Sequence, residues 1–154
     1  MRLVILSVGR IGGSAMADDV AHYEKMLSRH ARMETIELRE AGGDAMRRGE
    51  SLRREAKAVL TRIPDGAFVC VLDREGEQLS SEELALWLGE RRRGAADVWF
   101  VIGGPFGLDG EVFVRANQRL SFGRITLPHQ LARVVLLEQL FRAHKILAGE
   151  PYHY

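Results

Sequence analysis

The segment VWFVIGGPFGLDG, Val98 to Gly110, runs five strand-forming residues straight into Gly103-Gly104-Pro105 and adds Gly107 and Gly110. Glycines placed this way answer either a positive φ or the close approach of a phosphate, a cofactor or another part of the chain. A second glycine group, VGRIGG, follows the first apolar run. Its order, Gly9-x-x-Gly12-Gly13, misplaces the tight turn and the pyrophosphate contact of G-x-G-x-x-G, so NAD or FAD is not expected. No Lys-Ser or Lys-Thr pair follows IGGPFG, which removes a P-loop.

Proton-handling side chains are fewer. His129 follows Pro128 at the expected start of a long helix, where an imidazole reads as a structural partner of the helix N-terminus. His22, His30 and His144 stand in charged helical stretches without metal-ligand spacing and read as surface residues. No metal site is expected. Asp73 ends an apolar run and suits a capping acceptor, with a general base as the alternative. The tail GEPYHY, 149–154, places Pro151, Tyr152, His153 and Tyr154 directly after an apolar helix. Aromatic side chains there can stack on bases, and a histidine can move a proton.

The elements that must position these groups alternate. Residues 3–8 read as a strand and 17–30 as a helix with Val20, Tyr23, Met26 and Leu27 on one face. Residues 33–40 form a half-buried strand, and 45–62 a charged helix with Leu52, Ala56, Val59 and Leu60 inward. A buried strand at 67–73 precedes a helix opened by Ser80 and Glu83 at capping-box spacing. VWFVIGG is the fourth strand, DGEVFVRAN a short helix, 119–127 a short fifth strand and a loop, and 129–148 a long helix. This alternation predicts one α/β domain over 1–154, its mainly parallel sheet carrying helices on both faces. Ligand sites then lie beyond the C-terminal strand ends, at VGRIGG, LDREG and IGGPFG, with the loop in LSFGRITLPH as a fourth candidate.

Length and composition fit that reading. A chain of 154 residues, 46% hydrophobic and 28% charged, can bury a core without disulfides. The lone Cys70 sits in an apolar run and reads as a small buried hydrophobe. Neither a signal peptide nor a membrane span is expected, so a cytoplasmic location follows. Net charge is only +1, yet 19 arginines stand against 3 lysines, in clusters at 47–48, 53–54 and 91–93. Arginine's planar fork suits phosphate, and codon preference with solvated helix faces is the plainer account.

VLDREG, VIGGPFGL, LSFGRITLPHQLARVVLLEQLFRAHKI and PYH occur in the order and spacing of one family, and LVILSVGR fits at the start. Over its full length the chain resembles the bacterial large-subunit rRNA pseudouridine-N3 methyltransferase H family of the SPOUT superfamily. The resemblance implies a C-terminal deep trefoil knot, in roughly 68–154, that holds S-adenosylmethionine. Its pocket would be formed by Leu72, Gly103, Gly104 and the loop Phe122, Gly123, Arg124, Ile125, Thr126 and Leu127, mostly through backbone groups. The two glycines would leave room for the ligand and for threaded chain.

The resemblance further implies methyl transfer to N3 of a pseudouridine in the helix 69 loop of 23S rRNA on assembled ribosomes, with no DNA or membrane partner. His153 would handle the proton, Tyr152 would position the base, and Arg142 would contact substrate or phosphate. A homodimer would bury the apolar face of the last helix: Leu131, Val134, Val135, Leu140, Phe141 and Leu147. Tyr154 departs from the family, which carries a basic residue there. Two rivals are a non-catalytic ribosome-associated protein of the same fold, which a cofactor-binding test separates, and a nucleotide-binding oxidoreductase, which lacks its fingerprint.

Overall fold

The computed structural model describes residues 1–42, 44 and 47–152. Its elements are β1 (Arg2–Val8), α1 (Ala17–Leu27), β2 (Arg32–Leu38), α2 (Arg48–Arg62), β3 (Phe68–Gln78), α3 (Ser81–Arg93), β4 (Val98–Ile102), α4 (Gly110–Arg115), β5 (Gln118–Ser121) and α5 (His129–Leu147). Each answers an expected segment. The five strands pair in the order β2-β1-β4-β3-β5, and every pairing is parallel.

Alternation along the central strands divides the core in two. Leu3 and Ile5 of β1, with Val98, Phe100 and Ile102 of β4, face the layer of α1, α3 and α5. Val4, Leu6, Val8, Trp99 and Val101 face the opposite layer, which takes Ala56 and Val59 from α2 and Val112 from α4. Both faces are thus covered, as near-continuous β-branched runs require. Cys70 lies in the first layer, and burial pushes its thiol up to about 12, with Glu77 adding to the shift.

α3 starts as its sequence predicts. Ser80 Oγ accepts the Glu83 amide at 3.1 Å while the Glu83 carboxylate accepts the Ser80 amide at 2.7 Å. α2 differs: Ser51 and Glu55 are buried beside Ala56 and Val59, whereas Leu52 and Leu60 are only half-buried. Both polar side chains clamp the preceding loop, Glu55 accepting the Ala41 amide at 3.0 Å and Ser51 donating to the Gly42 carbonyl.

β3 also runs five residues past its expected end. Its register on β5 breaks between Leu72 and Glu77, both of which pair with Leu120. Gly76 makes that extension possible, since a Cβ there would stand 2.7 Å from the Arg119 carbonyl carbon. The polar run REGEQ has no apolar alternation to announce a strand.

α5 packs against α1 and α3 as well as the sheet. Leu140 and Phe141 are buried in the chain's own core, and Val134 packs on it. The expected surplus therefore shrinks to half-buried Leu131 and Val135 and exposed Leu147. Periodicity counts apolar residues but not the number of neighbours that cover them.

Candidate active site

The strand ends and the loop before α5 enclose a cavity of about 1020 Å³. Leu72, Gly103, Gly104, Phe122, Gly123, Ile125, Thr126 and Leu127 all line it. Arg124 is exposed and does not. The topology brings the candidates together because β3 and β4 are neighbours that end at the same edge, and β5 delivers the loop 122–127 beside them.

The glycines are required first by the chain itself. A Cβ on Gly103 would lie 2.7 Å from the Gly107 carbonyl oxygen, and one on Gly104 would lie 3.1 Å from Val8 Cγ1. Gly107, at φ +82°, donates its amide to the Gly104 carbonyl at 2.9 Å and closes a turn with Pro105 and Phe106. What approaches these glycines is the turn and strand β1, where the resemblance implied ligand as well. In the second loop Gly123 holds φ +117°, and its amide donates to Ser121 Oγ at 3.0 Å. The same hydroxyl lies 3.0 Å from the Arg74 carbonyl, tying this loop to the β3 extension.

Gly9 has a related explanation. It holds φ +108°, and a Cβ on it would stand 2.7 Å from His129 Nε2. VGRIGG thus admits an imidazole from the start of α5. His129 is almost covered, lines the cavity, and sets Nε2 3.4 Å from a Glu40 carboxylate oxygen. Asp73, also on the wall, accepts Arg119 Nε at 3.0 Å, and Arg119 lies over the Phe113 ring at 4.6 Å. Asp73 is an ion-pair partner here.

At the other end of α5, Arg142 organises the tail. Glu138 accepts from its Nε at 3.1 Å and its Nη2 at 2.6 Å. That hydrogen-bonded pairing raises the pKa of Arg142 above its ordinary value. Arg142 Nη1 donates to the Tyr152 carbonyl at 3.3 Å, and its guanidinium covers the Tyr152 ring at 4.9 Å. The ring meets Phe141 edge-on at 4.9 Å. Burial, then the neighbouring Tyr23 and Glu138, raises the pKa of the Tyr152 phenol. His153 and Tyr154 lie outside the described residues.

Ten positions of α5 separate Ala132 on the cavity wall from Arg142, about 15 Å at 1.5 Å per residue. Within one chain the cofactor candidates share one cavity, and Arg142 meets Tyr152, but the two groups stand apart.

Sequence reasoning placed His144 on the surface. It is 4% exposed, stacks on His30 at 5.9 Å, and leaves Nε2 without a hydrogen bond. Desolvation, then Arg92 and His30, brings its pKa down to about 4. Glu138 was readable from its place four residues before Arg142. Glu40, Arg48 and Phe106, also on the cavity wall, carry no local signal. Among the described residues no group of His, Cys, Asp and Glu could hold a metal, and no helix is long and apolar enough to cross a membrane.

Comparison with known proteins matches residues 1–153 to the family described as "Predicted SPOUT methyltransferase". A protein of Rubrobacter xylanophilus named ribosomal RNA large subunit methyltransferase H is 51% identical, covering 99% of this chain and 98% of its own. A protein of that name from Carboxydothermus hydrogenoformans is 41% identical over 99% of each chain. Among solved structures, a probable methylase family protein from Haemophilus influenzae superposes with a TM-score of 0.55 at 11% identity, over 99% of this chain and 70% of that one. That likeness concerns the fold.

Proposed function

The chain belongs to the SPOUT methyltransferase family, and we propose that it methylates N3 of a pseudouridine in the helix 69 loop of 23S rRNA on assembled ribosomes, in the cytoplasm. The observation that carries this reading is the one cavity into which three separate cofactor segments, Leu72, Gly103–Gly104 and the loop 122–127, converge, in a chain whose full-length relatives bear the name of an rRNA methyltransferase.

S-adenosylmethionine fits that cavity. Loop 122–127 has irregular backbone whose polar groups are not consumed by helix or strand pairing, and Leu72, Phe122 and Leu127 set half-buried carbon surfaces beside it. Gly103 and Gly104 add backbone without side chains. When bound, the cofactor supplies an electrophilic methyl group, which leaves the protein to align the attack and remove one proton. We assign the family's trefoil knot to 68–154, with Gly103, Gly104 and the loop 122–127 packed around the ligand.

His153 takes the N3 proton, and Tyr152 holds the base. Arg142, kept cationic by Glu138, contacts substrate or phosphate and orients Tyr152. A second copy of the chain brings its tail to this cavity, because one chain leaves Arg142 about 15 Å from the wall. Half-buried Leu131 and Val135 and exposed Leu147 of α5 are assigned to that homodimer contact.

The test is His153→Ala. Turnover on ribosomes should fall by about 10²-fold or more, the usual contribution of a positioned acid or base. Calorimetric affinity for S-adenosylmethionine should stay within about twofold. Unchanged turnover would remove His153 from the reaction.

A further inference from the structure

A cavity of about 1020 Å³ stands at the upper end of the range for small-molecule sites, roughly 300–1,000 Å³. Its wall extends past every residue assigned to the cofactor, to Arg48 and Phe106. Phe106 occupies the third position of the turn Gly104–Gly107. The 2.9 Å hydrogen bond and an antiparallel bridge close that turn, and Gly103 packs on the Gly107 carbonyl. The ring is therefore presented half-exposed on fixed backbone. Arg48, the first residue of α2, sets its guanidinium 5.8 Å from the ring centroid and Nη2 3.4 Å from the Phe106 carbonyl.

On the cavity wall Arg119 is paired with Asp73, whereas Arg48 and Arg74 have no ion pair among the described residues, and of these two it is Arg48 that lies over an aromatic ring. Among the described residues Arg48 has no carboxylate partner; its contacts are the Phe106 carbonyl and ring. A fixed aromatic face and an uncompensated guanidinium therefore meet at the rim of the cavity. That pairing suits an unpaired nucleotide, whose base stacks while its phosphate meets the cation.

We propose that Arg48 and Phe106 form a shelf for the RNA beside the modified position, with Phe106 stacking on an unpaired neighbouring base and Arg48 contacting its phosphate. The proposal rests on the RNA methyltransferase reading and deepens it. Tyr152 already serves the target base in that reading, so the rim shelf is left for its neighbour.

Phe106→Leu keeps apolar bulk but removes the π-face, Phe106→Tyr keeps the face, and Arg48→Gln removes only the charge. Methyl transfer to ribosomes lacking the modification should show Phe106→Leu raising KM about tenfold, in line with the stacking contribution of one base. Its kcat, melting temperature and affinity for S-adenosylmethionine should not move, and Phe106→Tyr should match the native protein. Arg48→Gln should raise KM and lower the slope of log KM against log salt by about 0.7, one single-strand phosphate contact.

The shelf is overturned if Phe106→Leu leaves KM within about twofold, if leucine and tyrosine variants are equally impaired, or if the loss lies in cofactor affinity. Should the native enzyme methylate no ribosomal substrate, the rRNA reading fails separately. Anisotropy of a labelled RNA hairpin with an unpaired loop then decides the shelf. Weaker binding by Phe106→Leu supports it, and equal binding, or none by native protein, overturns it.

Discussion

At Gly9, two constraints coincide on one residue: φ of +108° and an imidazole where a Cβ would sit. Gly9→Ala should lose about 1–3 kcal/mol of stability, the usual range for a residue held in a sparsely populated conformation. Adding His129→Ala should recover part of the loss, because the imidazole overlap goes while the strained φ and the Glu40 carboxylate oxygen, 2.9 Å from the added Cβ, stay. Thermal denaturation of the two variants checks this, and a Gly9→Ala protein as stable as the native one would contradict it. Sequence alone could reject the dinucleotide spacing of VGRIGG but could not supply this reason, since Gly9 and His129 meet only in the fold. Ser80 and Glu83 show the opposite case, their capping box complete within one turn and readable in full. Gly103 and Gly104 lie between the two: their need for space was legible, and its occupant, the Gly107 turn and Val8, was not.

Among the elements, α5 is the one whose packing most exceeds its sequence pattern. Its predicted span was nearly right, yet His144 was read as solvent-facing because neighbouring charges suggested an outer face. Contact with His30 and with the α1–α3 layer buries it instead. Burial has a consequence for acid stability. The unfolded chain protonates His144 at its ordinary 6.5, the folded chain only near 4. Between those values the unfolded state binds more protons, so stability falls as pH falls. This contribution is absent above 6.5 and reaches up to about 3 kcal/mol of lost stability near pH 4. Denaturant unfolding at pH 7 and pH 4.5 should show a smaller pH loss for His144→Leu than for the native chain. Equal losses would mean that His144 is not the titrating group. β3 teaches a related lesson: its apolar half was visible, whereas REGEQ became strand through a glycine fitted against β5.

On the scale of the whole molecule, strand and helix alternation was enough to foresee a parallel sheet covered on both faces. Strand order and the meeting of distant loops in one cavity needed the fold. The same geometry leaves the tail and the cavity apart along α5, which underlies the two-copy site proposed above. Mixing a cavity variant, Gly103→Val, with the tail variant His153→Ala tests that site. Random exchange makes about half of the molecules mixed dimers, each with one intact site, so activity should recover to about a quarter of native. No recovery despite demonstrated subunit exchange would contradict the composite arrangement.

The central claim is methyl transfer to the ribosome, and one measurement addresses it most directly. Ribosomes from cells lacking this gene would be incubated with the protein and labelled S-adenosylmethionine, beside free large-subunit rRNA, and the labelled nucleotide mapped. The account predicts label on assembled ribosomes, at N3 of a pseudouridine in the helix 69 loop, with little on free RNA. Absence of label from both substrates, by a protein that still binds S-adenosylmethionine, would contradict it.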